Sequence, residues 1–366
     1  MDTLHYIKWF FWAAAMFALL QAVQIPVRKT NSHLLKLFVW VMKLVLMIAL
    51  AFALIVFAAP IFWRHGYPFA ALYIALLADV LCDPLKAVLY GFRKKTDQKI
   101  SLLLSLLSMA AVLIYGTVNM ETVVPDRHVY TSGKLKQSYT AVFISDLHIG
   151  SSQSEAVVEK AFNEIRELHP DFILLGGDIS DEQSENEEMK WTYEQLGKMN
   201  VPVYYIYGNH DRQPRSAYMY GPTYSRDELA NTITDNGLII LQDELVKIGD
   251  DLYLLGREDT SEYTRKDVSE LERAPEDAYV LVVDHSPYED EDIIAYGADL
   301  QISGHTHAGQ FFPLRMIYDM LNYHAYGDYQ IGNTNLLVSA GISGWGYPFR
   351  NEAHTCYDVI ELKPAE

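Results

Sequence analysis

Three short apolar runs, each followed by a polar cluster, recur about every 30 residues in the second half of the chain. The clusters contain Asp146, Asp178 and Asn209, which are 32 (178 − 146) and 31 (209 − 178) residues apart. One strand–helix–strand unit takes roughly 30 residues, and parallel strands end at the same edge of a sheet. The spacing therefore predicts an α/β domain whose parallel sheet collects these side chains, with His148 and His210, at one edge.

Two further strand-like runs end in clusters that contain histidine. Residues 279–283 lead to His285, and residues 299–303 lead to Gly304, His305, Thr306 and His307. Carboxylate, imidazole and amide donors at strand ends suit borderline divalent cations held close together. One polar strand end is common in proteins without a metal, but five of them in one chain favour a metal site.

The order of the clusters, D-x-H, G-D, G-N-H-D, a later H and G-H-x-H, resembles the calcineurin-like metallophosphoesterases. The resemblance covers roughly residues 123–362 and is closest to a membrane-anchored bacterial branch with an N-terminal multi-span membrane domain. Ala308 departs from a frequent Gly, and Glu352 to His354 replace a usual Pro-Glu pair. The resemblance implies a four-layer α/β/β/α sandwich over residues 139–366, with two mixed sheets face to face and helices outside.

The resemblance also implies a dinuclear centre of two divalent metal ions of the Mn, Zn or Fe class. A metal-bridging hydroxide would hydrolyse a phosphodiester, a pyrophosphate or a phosphate monoester, with the phosphodiester favoured. Asp178 would bridge the two ions. The resemblance assigns Asp146, His148, Asp178 and His307 to one ion, and Asp178, Asn209, His285 and His305 to the other.

Four residues outside the ligand set are candidates for catalysis or substrate binding. His210 follows the ligand Asn209 and is predicted to donate a proton to the leaving oxygen. Asp181, three residues after Asp178, is predicted to orient His210. Arg212 and Arg350 are candidate phosphate clamps.

The remaining pattern predicts the elements between these clusters. Helical spacing covers residues 154–168, 185–199 and 227–236, and residues 212–226 are expected to form a loop over the site. Short apolar runs over 238–241, 244–248 and 252–255 suggest a second, antiparallel sheet.

The first 120 residues contain four apolar stretches, each long enough to cross a bilayer, which needs about 20 residues. They predict an all-α, four-helix transmembrane domain, followed by a linker over 121–138 that holds an edge strand near 128–131. The first and third loops are basic and are therefore expected in the cytoplasm, which places the catalytic domain on the extracytoplasmic side of the cell membrane. The stretches are roughly 4–25, 37–62, 67–92 and 100–119, and the basic residues are Arg28, Lys29, Lys36, Arg93, Lys94, Lys95 and Lys99.

The third stretch carries Asp79 and Asp83, and the second carries Lys43 at a similar depth. Charged groups inside a membrane are costly and need partners. We expect these three side chains to neutralise one another between helices; a path for an ion or a substrate is the alternative.

The charge of the chain is divided unevenly. Residues 1–120 hold 11 Lys+Arg and 4 Asp+Glu, a net of +7, and the remaining residues hold 18 and 43, a net of −25. A domain at −25 repels polyanions, so nucleic acid is not an expected partner. No obligate protein partner is evident.

The expected partners are membrane lipids or a lipid-linked phosphate substrate. The apolar segment 311–318 is expected to pack against the second sheet; a surface that touches lipid or a lipid substrate is the alternative. A function of a different class also remains open, in which a membrane sensor or transport component uses the phosphoesterase fold only to bind a ligand.

Overall fold

A computed structural model describes residues 3–24, 32–56, 67–93, 98–150, 152–214, 221–288 and 290–365. The chain divides into two compact units. The helical unit comprises Met1–Asn119, Phe311–Leu314 and Phe349–Glu352, and the sandwich unit comprises Met120–Gln310, Arg315–Pro348 and Ala353–Glu366.

Four long helices make up most of the helical unit. Two regions among the described residues, His33–Leu54 and Lys99–Glu121, are long and apolar enough to cross a membrane. The expectation of four such helices is met by two. Among the residues whose side chains are described, the first helix contributes the apolar stretch Phe11–Val23, and the third helix carries Asp79, Asp83 and Lys86. The helices are α1 (Thr3–Val23), α2 (His33–Val56), α3 (Tyr67–Arg93) and α4 (Gln98–Glu121).

The basic residues Arg28, Lys29, Lys94 and Lys95, on which the predicted orientation partly rests, lie outside the described residues.

A cluster of two lysines and two aspartates lies between the helices, and we call it the helical charge cluster. Lys43 Nζ is 3.3 Å from Asp79 and 2.6 Å from Asp83. Lys86 Nζ is 3.4 Å from Asp79 and 2.9 Å from Asp83. Ser105 donates a 3.0 Å hydrogen bond to Asp79. The predicted pairing of Lys43 with both aspartates is confirmed, and Lys86 completes the charge balance.

Two short segments from the second half of the sequence pack inside the helical unit. Tyr73 donates a 2.8 Å hydrogen bond to the carbonyl of Phe312, and its ring makes an edge contact with Phe311. The Phe311 ring also stacks on Phe349, and a Cβ on Gly116 of α4 would lie 2.0 Å from that Phe349 ring. Packing of 311–318 on the second sheet is therefore wrong for the first part of that segment.

The sandwich unit contains two six-stranded sheets. The first has the strand order β1-β12-β2-β3-β4-β5, and β2, β3, β4 and β5 run parallel, as the spacing of the clusters predicts. Ten residues of the predicted linker form β1, which pairs in parallel with the last strand. The strands are β1 (Val123–Ser132), β2 (Tyr139–Ile144), β3 (Phe172–Leu175), β4 (Val203–Tyr205), β5 (Ile239–Ile240) and β12 (Thr355–Pro364).

The second sheet has the order β10-β11-β9-β8-β7-β6 and is mixed. Its central strands β11, β9, β8 and β7 are parallel, and only its outer pairs are antiparallel. The prediction of an antiparallel sheet that begins at residue 238 is wrong, because β5 extends the first sheet instead. The strands are β6 (Glu244–Lys247), β7 (Leu252–Gly256), β8 (Tyr279–Val283), β9 (Leu300–Ser303), β10 (Gly327–Ile331) and β11 (Thr334–Val338).

The two sheets pack face to face, and helices cover their outer faces. Phe143 and Leu174 of the first sheet share a buried core with Leu254, Leu281 and Ile302 of the second. This agrees with the predicted four layers, since each sheet buries apolar side chains on both faces. Three helices cover the first sheet and one covers the second: α5 (Glu155–Glu167), α6 (Asn186–Gly197) and α7 (Arg226–Asp235), then α8 (Asp290–Tyr296); α9 (Leu314–Met320) follows.

Candidate metal centre

Consecutive parallel strands bring the first three polar clusters together. Asp146 follows β2, Asp178 follows β3, and Asn209 follows β4. Gly208 lies so close to Asp178 that a Cβ at this position would meet the Asp178 carboxylate at 2.3 Å. The glycine of Gly-Asn-His-Asp is therefore needed because the ends of β3 and β4 approach each other too closely for a side chain.

Five of the seven predicted ligands share an uncommon backbone conformation. Asp146, His148, Asp178, His305 and His307 all have positive φ, between 45° and 70°. Residues other than glycine rarely adopt this conformation, and it persists where the surrounding structure enforces it, often at functional sites. The local conformational preferences of these five residues disfavour positive φ, so the surrounding structure must hold them in this conformation.

Six donors form two compact groups, which we call the donor triads. The first is Asp146, His148 and His307, and the second is Asp178, His285 and His305. Within each triad, one ligand atom from each residue lies within 4.8 Å of the others. This is the partition that the resemblance implies.

Contacts of Asp178 join the two triads. Asp178 Oδ2 is 3.2 Å from His285 Nε2 and 3.8 Å from His148 Nε2. Asn209 Oδ1 is 3.1 Å from His285 Nε2, on the side of the second triad. These distances suit the predicted bridging carboxylate and the seventh donor.

Hydrogen-bond acceptors face the Nδ1 atoms of three triad histidines. His148 Nδ1 is 3.1 Å from Asp181, His285 Nδ1 is 2.8 Å from the Gly176 carbonyl, and His307 Nδ1 is 3.3 Å from the Ser343 carbonyl. Such partners fix the tautomer and orientation of a metal-binding imidazole. Each ring therefore directs Nε2 towards the carboxylates of the triads.

The electrostatics of the triads favour bound positive charge. Burial alone would lower the pKa of His148, but its hydrogen bond to Asp181 and the charge of Asp178 raise it to about 9. Burial lowers the pKa of His305 to about 4, and His285 acts in the same direction. Buried carboxylates beside oriented imidazoles are a donor set that fits two divalent cations.

His210 lies beside the first triad and is held by a carboxylate. Its ring packs edge-on to His148, and its backbone N–H donates a 2.8 Å hydrogen bond to Asp178. His210 Nδ1 is 2.7 Å from the buried Glu182. Burial lowers the pKa of His210, but the charge of Asp178 and the contact with Glu182 outweigh this effect and raise it. A protonated imidazole with one nitrogen anchored can donate a proton from the other.

Comparison with known sequences is consistent with this geometry. Residues 139–309 match the family described as calcineurin-like phosphoesterase. Over this segment the chain is similar to calcineurin-like phosphoesterases.

Several relatives carry the same kind of domain. A protein of Helicobacter pylori strain J99 described as an uncharacterized metallophosphoesterase is 26% identical over 238 residues, which are 63% of this chain and 61% of the relative. A Danio rerio "transmembrane protein with metallophosphoesterase domain" is 26% identical over 285 residues, 72% of this chain and 62% of the relative. A Campylobacter jejuni metallophosphoesterase is 27% identical over 318 residues, 81% and 80% of the two chains.

The role predicted for Asp181 needs correction. Asp181 accepts the contact from His148 and not the one from His210, which Glu182 provides. The backbone turn after Asp178 directs the two adjacent carboxylates to different histidines. Sequence spacing alone could not separate neighbours that differ by one position.

Arg212, one of the two predicted phosphate clamps, has a carboxylate partner. Its guanidinium makes two 2.9 Å hydrogen bonds to Glu258 and lies 3.6 Å above the Tyr207 ring. This bidentate, largely buried pair balances the charge of Arg212, and the function of Arg212 as a phosphate clamp stays a prediction. Glu258 lies 46 positions further along the chain, so the sequence around Arg212 does not indicate this partner.

Arg350 belongs to the helical unit. Its side chain is buried, and its Nε donates a 3.2 Å hydrogen bond to the Glu352 carbonyl. Its function as a phosphate clamp stays a prediction.

Asp211 is a residue of the site that sequence reasoning missed. Its carboxylate accepts hydrogen bonds from the backbone N–H groups of Asp178, Ile179, Ser180 and Gly208, at 2.7 to 3.1 Å. The fourth letter of Gly-Asn-His-Asp was the available signal. Asp211 therefore fixes the loop that presents Asp178.

Proposed function

We propose that this protein is a membrane-bound hydrolase of phosphate esters, with a phosphodiester as the favoured substrate. The observation that carries the proposal is the pair of donor triads joined by Asp178, with His210 beside them. Asn209 completes a set of seven candidate metal ligands.

The proposed mechanism assigns a task to each group of residues. The donor triads and Asn209 would hold two divalent cations of the Mn, Zn or Fe class, whose Lewis acidity activates water and offsets phosphate charge. His210, anchored by Glu182, would protonate the leaving oxygen. Asp211 would hold the loop after β3 in place as charge develops.

Membrane association is supported by the two apolar helices and by the name of the Danio rerio relative. We extend this to four spans with the catalytic domain on the extracytoplasmic side. The helical charge cluster supports the assignment of α3, since its aspartates are balanced by lysines and would not have to enter lipid unpaired.

A surface next to the second triad supports an amphiphilic substrate. The Tyr288 ring makes an edge contact with the ring of His305, and Tyr323 makes an edge contact with Tyr288. Nearby in sequence, Met316 and Met320 of α9 are 52% and 77% exposed and Leu321 is 61% exposed. An aromatic and apolar approach to a metal centre suits a phosphate group that carries an acyl or polyprenyl chain.

The test uses the full chain in detergent, stripped of metal and reloaded with Mn²⁺ or Zn²⁺. We expect at least two bound metals per chain and hydrolysis of an aryl phosphodiester. Tyr288→Ala should slow hydrolysis of a lipid phosphodiester in mixed micelles more than hydrolysis of the aryl diester. Fewer than one bound metal, together with no hydrolysis, contradicts the proposed reaction; equal effects of Tyr288→Ala on both substrates contradict the lipid substrate.

The orientation has its own test. A reporter enzyme that is active only outside the cytoplasm is fused after Glu366. We expect it to be active, because the proposal places the carboxyl terminus on the extracytoplasmic side. Activity of a cytoplasmic reporter at the same position would place the domain inside the cell.

A further inference from the structure

A third group of metal-binding residues lies on β1 and at the start of β12, and none of its members belongs to the donor triads. Asp126 comes from β1, Cys356 from β12, and His354 immediately precedes β12. One ligand atom from each residue lies within 4.8 Å of the other two.

Strand pairing explains why these side chains meet. β1 and β12 are parallel, with Val124 opposite Cys356 and Asp126 opposite Asp358. Residues two apart on a strand share a face, so Asp126 and Cys356 project to the same side of the sheet. His354 lies two residues before Cys356, and its Nε2 is 2.8 Å from Asp126 Oδ1. The register of one strand pair thus assembles the three donors.

The distances are compatible with a bound ion. Bond lengths of about 2.0–2.3 Å place the donor atoms of a tetrahedral zinc site about 3.3–3.8 Å apart. In this group, His354 Nε2 and Asp126 Oδ1 are 2.8 Å apart, and the three ligand atoms all lie within 4.8 Å of one another, so the observed distances bracket this range. Side-chain rotations without a change in β1 or β12 could therefore close the site around a cation.

The chemistry of the group selects the class of cation. A thiolate, an imidazole and a carboxylate form a mixed donor set that suits zinc and similar borderline ions, and not Mg²⁺ or Ca²⁺. The donor triads and Asn209 contain only nitrogen and oxygen donors. Cys356 therefore gives this group a chemical signature that the dinuclear centre cannot produce.

The surroundings provide both support and access. Tyr326 donates a 2.7 Å hydrogen bond to Asp126 Oδ2, which leaves Oδ1 directed at His354. Cys356 is fully buried against Ala308 and Ala340, whereas 41% of the His354 side chain is exposed. One side of the group is thus enclosed and the other is open to solvent, where water could be a fourth ligand.

We propose that Asp126, His354 and Cys356 form a mononuclear site for a zinc-class divalent cation, additional to the dinuclear centre. By binding Asp126 of β1, Cys356 of β12 and His354 just before β12, the ion would fasten these two strands together. The site would be structural, and hydrolysis at the donor triads would not require it.

The experiment uses the full chain in detergent, stripped with a chelator and titrated with Co²⁺. We expect an absorption band in the near ultraviolet from charge transfer between thiolate and Co²⁺, and its loss on addition of Zn²⁺. Cys356→Ser should abolish the band and lower the bound metal by one equivalent per chain, while hydrolysis of the aryl diester persists.

The chain contains two cysteines, so Cys82 of α3 offers a matched control. Cys82→Ser should keep the band unchanged. If Cys356→Ser fails to fold, His354→Gln at the exposed side should still weaken Co²⁺ binding, seen as a shift of the titration to higher Co²⁺.

A wild-type chain with two bound metals and no thiolate band would overturn the proposal, as would a band lost in Cys82→Ser. These outcomes leave the dinuclear centre and its reaction unaffected, because metal content and hydrolysis are measured separately.

Discussion

Two buried clusters of charged residues, one in each unit, are built on opposite plans. The helical charge cluster pairs two aspartates with two lysines, at 2.6 to 3.4 Å. In the donor triads, Asp146 and Asp178 face histidines, and within the described part of the chain neither carboxylate pairs with a lysine or an arginine.

The difference shows how a buried carboxylate can indicate its function. Carboxylates paired with permanent cations have their charge balanced by the protein itself, and such clusters are often structural. Where carboxylates face oriented imidazoles, their negative charge is balanced by a proton or by a metal ion. A metal centre requires such uncompensated carboxylates. The predictions below test whether the two clusters differ in this way.

The largest effect is expected at the bridging residue. Asp178→Asn should abolish hydrolysis and remove about one metal equivalent or more, because the amide lacks the charge that holds two cations. Metal analysis and an aryl diester assay measure both. Asp235→Asn, at the exposed end of α7, is the control and should change neither. If Asp178→Asn keeps the wild-type metal content and normal rates, the two clusters do not differ as argued.

His210→Ala should reduce the rate by roughly 10²–10⁴-fold, as expected for a lost general acid, with metal content unchanged. Metal analysis and the aryl diester assay measure both quantities. If the variant instead loses metal, His210 is a ligand and the assignment of seven donors is incomplete.

The adjacent carboxylates should have separate effects. Glu182→Gln should lower kcat by about 10–100-fold with metal retained, since it removes the partner of His210. Asp181→Asn should chiefly weaken metal binding through His148, by a similar factor. Chelator titrations and steady-state kinetics separate the two, and an interchange of these effects would restore the role predicted for Asp181 from sequence.

Removal of one charge from the helical cluster should affect stability and not chemistry. Asp83→Asn should destabilise the helical unit by about 1–3 kcal/mol, less than a fully buried pair because Asp83 is partly exposed. Asp79→Asn, at a fully buried position, should cost more. Thermal unfolding in detergent measures this, and hydrolysis of the aryl diester should stay normal. An unchanged Tm for both variants would argue against a structural cluster.

A smaller effect is expected at Arg212 and Glu258, a balanced pair in the sandwich unit. Burial raises the pKa of Glu258, but the hydrogen bonds from Arg212 and Gln242 outweigh it and hold the pKa below the ordinary 4.5. A lowered folded-state pKa adds stability above about pH 4.5, and this is lost as the pH falls through the folded-state value. The Tm difference between wild type and Glu258→Gln should therefore be largest near pH 7 and shrink in acid. The exposed Glu244→Gln serves as the control.

Much of the sandwich unit could be predicted from sequence, because the carboxyl ends of parallel strands share one edge whatever lies between them. The spacing of Asp146, Asp178 and Asn209 thus predicted one sheet edge, and β2, β3 and β4 agree. The strand over 239–240 was assigned to the wrong sheet, since a two-residue strand carries no period that identifies its neighbour.

Which residue types stand at the strand ends could be predicted from the sequence, because period and spacing are local properties of the chain. Tertiary structure alone decided which neighbours they contact. It gave Glu182 and not Asp181 to His210, gave Glu258 to Arg212, and brought Asp126 to Cys356 across 230 positions (356 − 126). Backbone turns with positive φ and strand register set these contacts, and both depend on packing between segments that are distant in sequence.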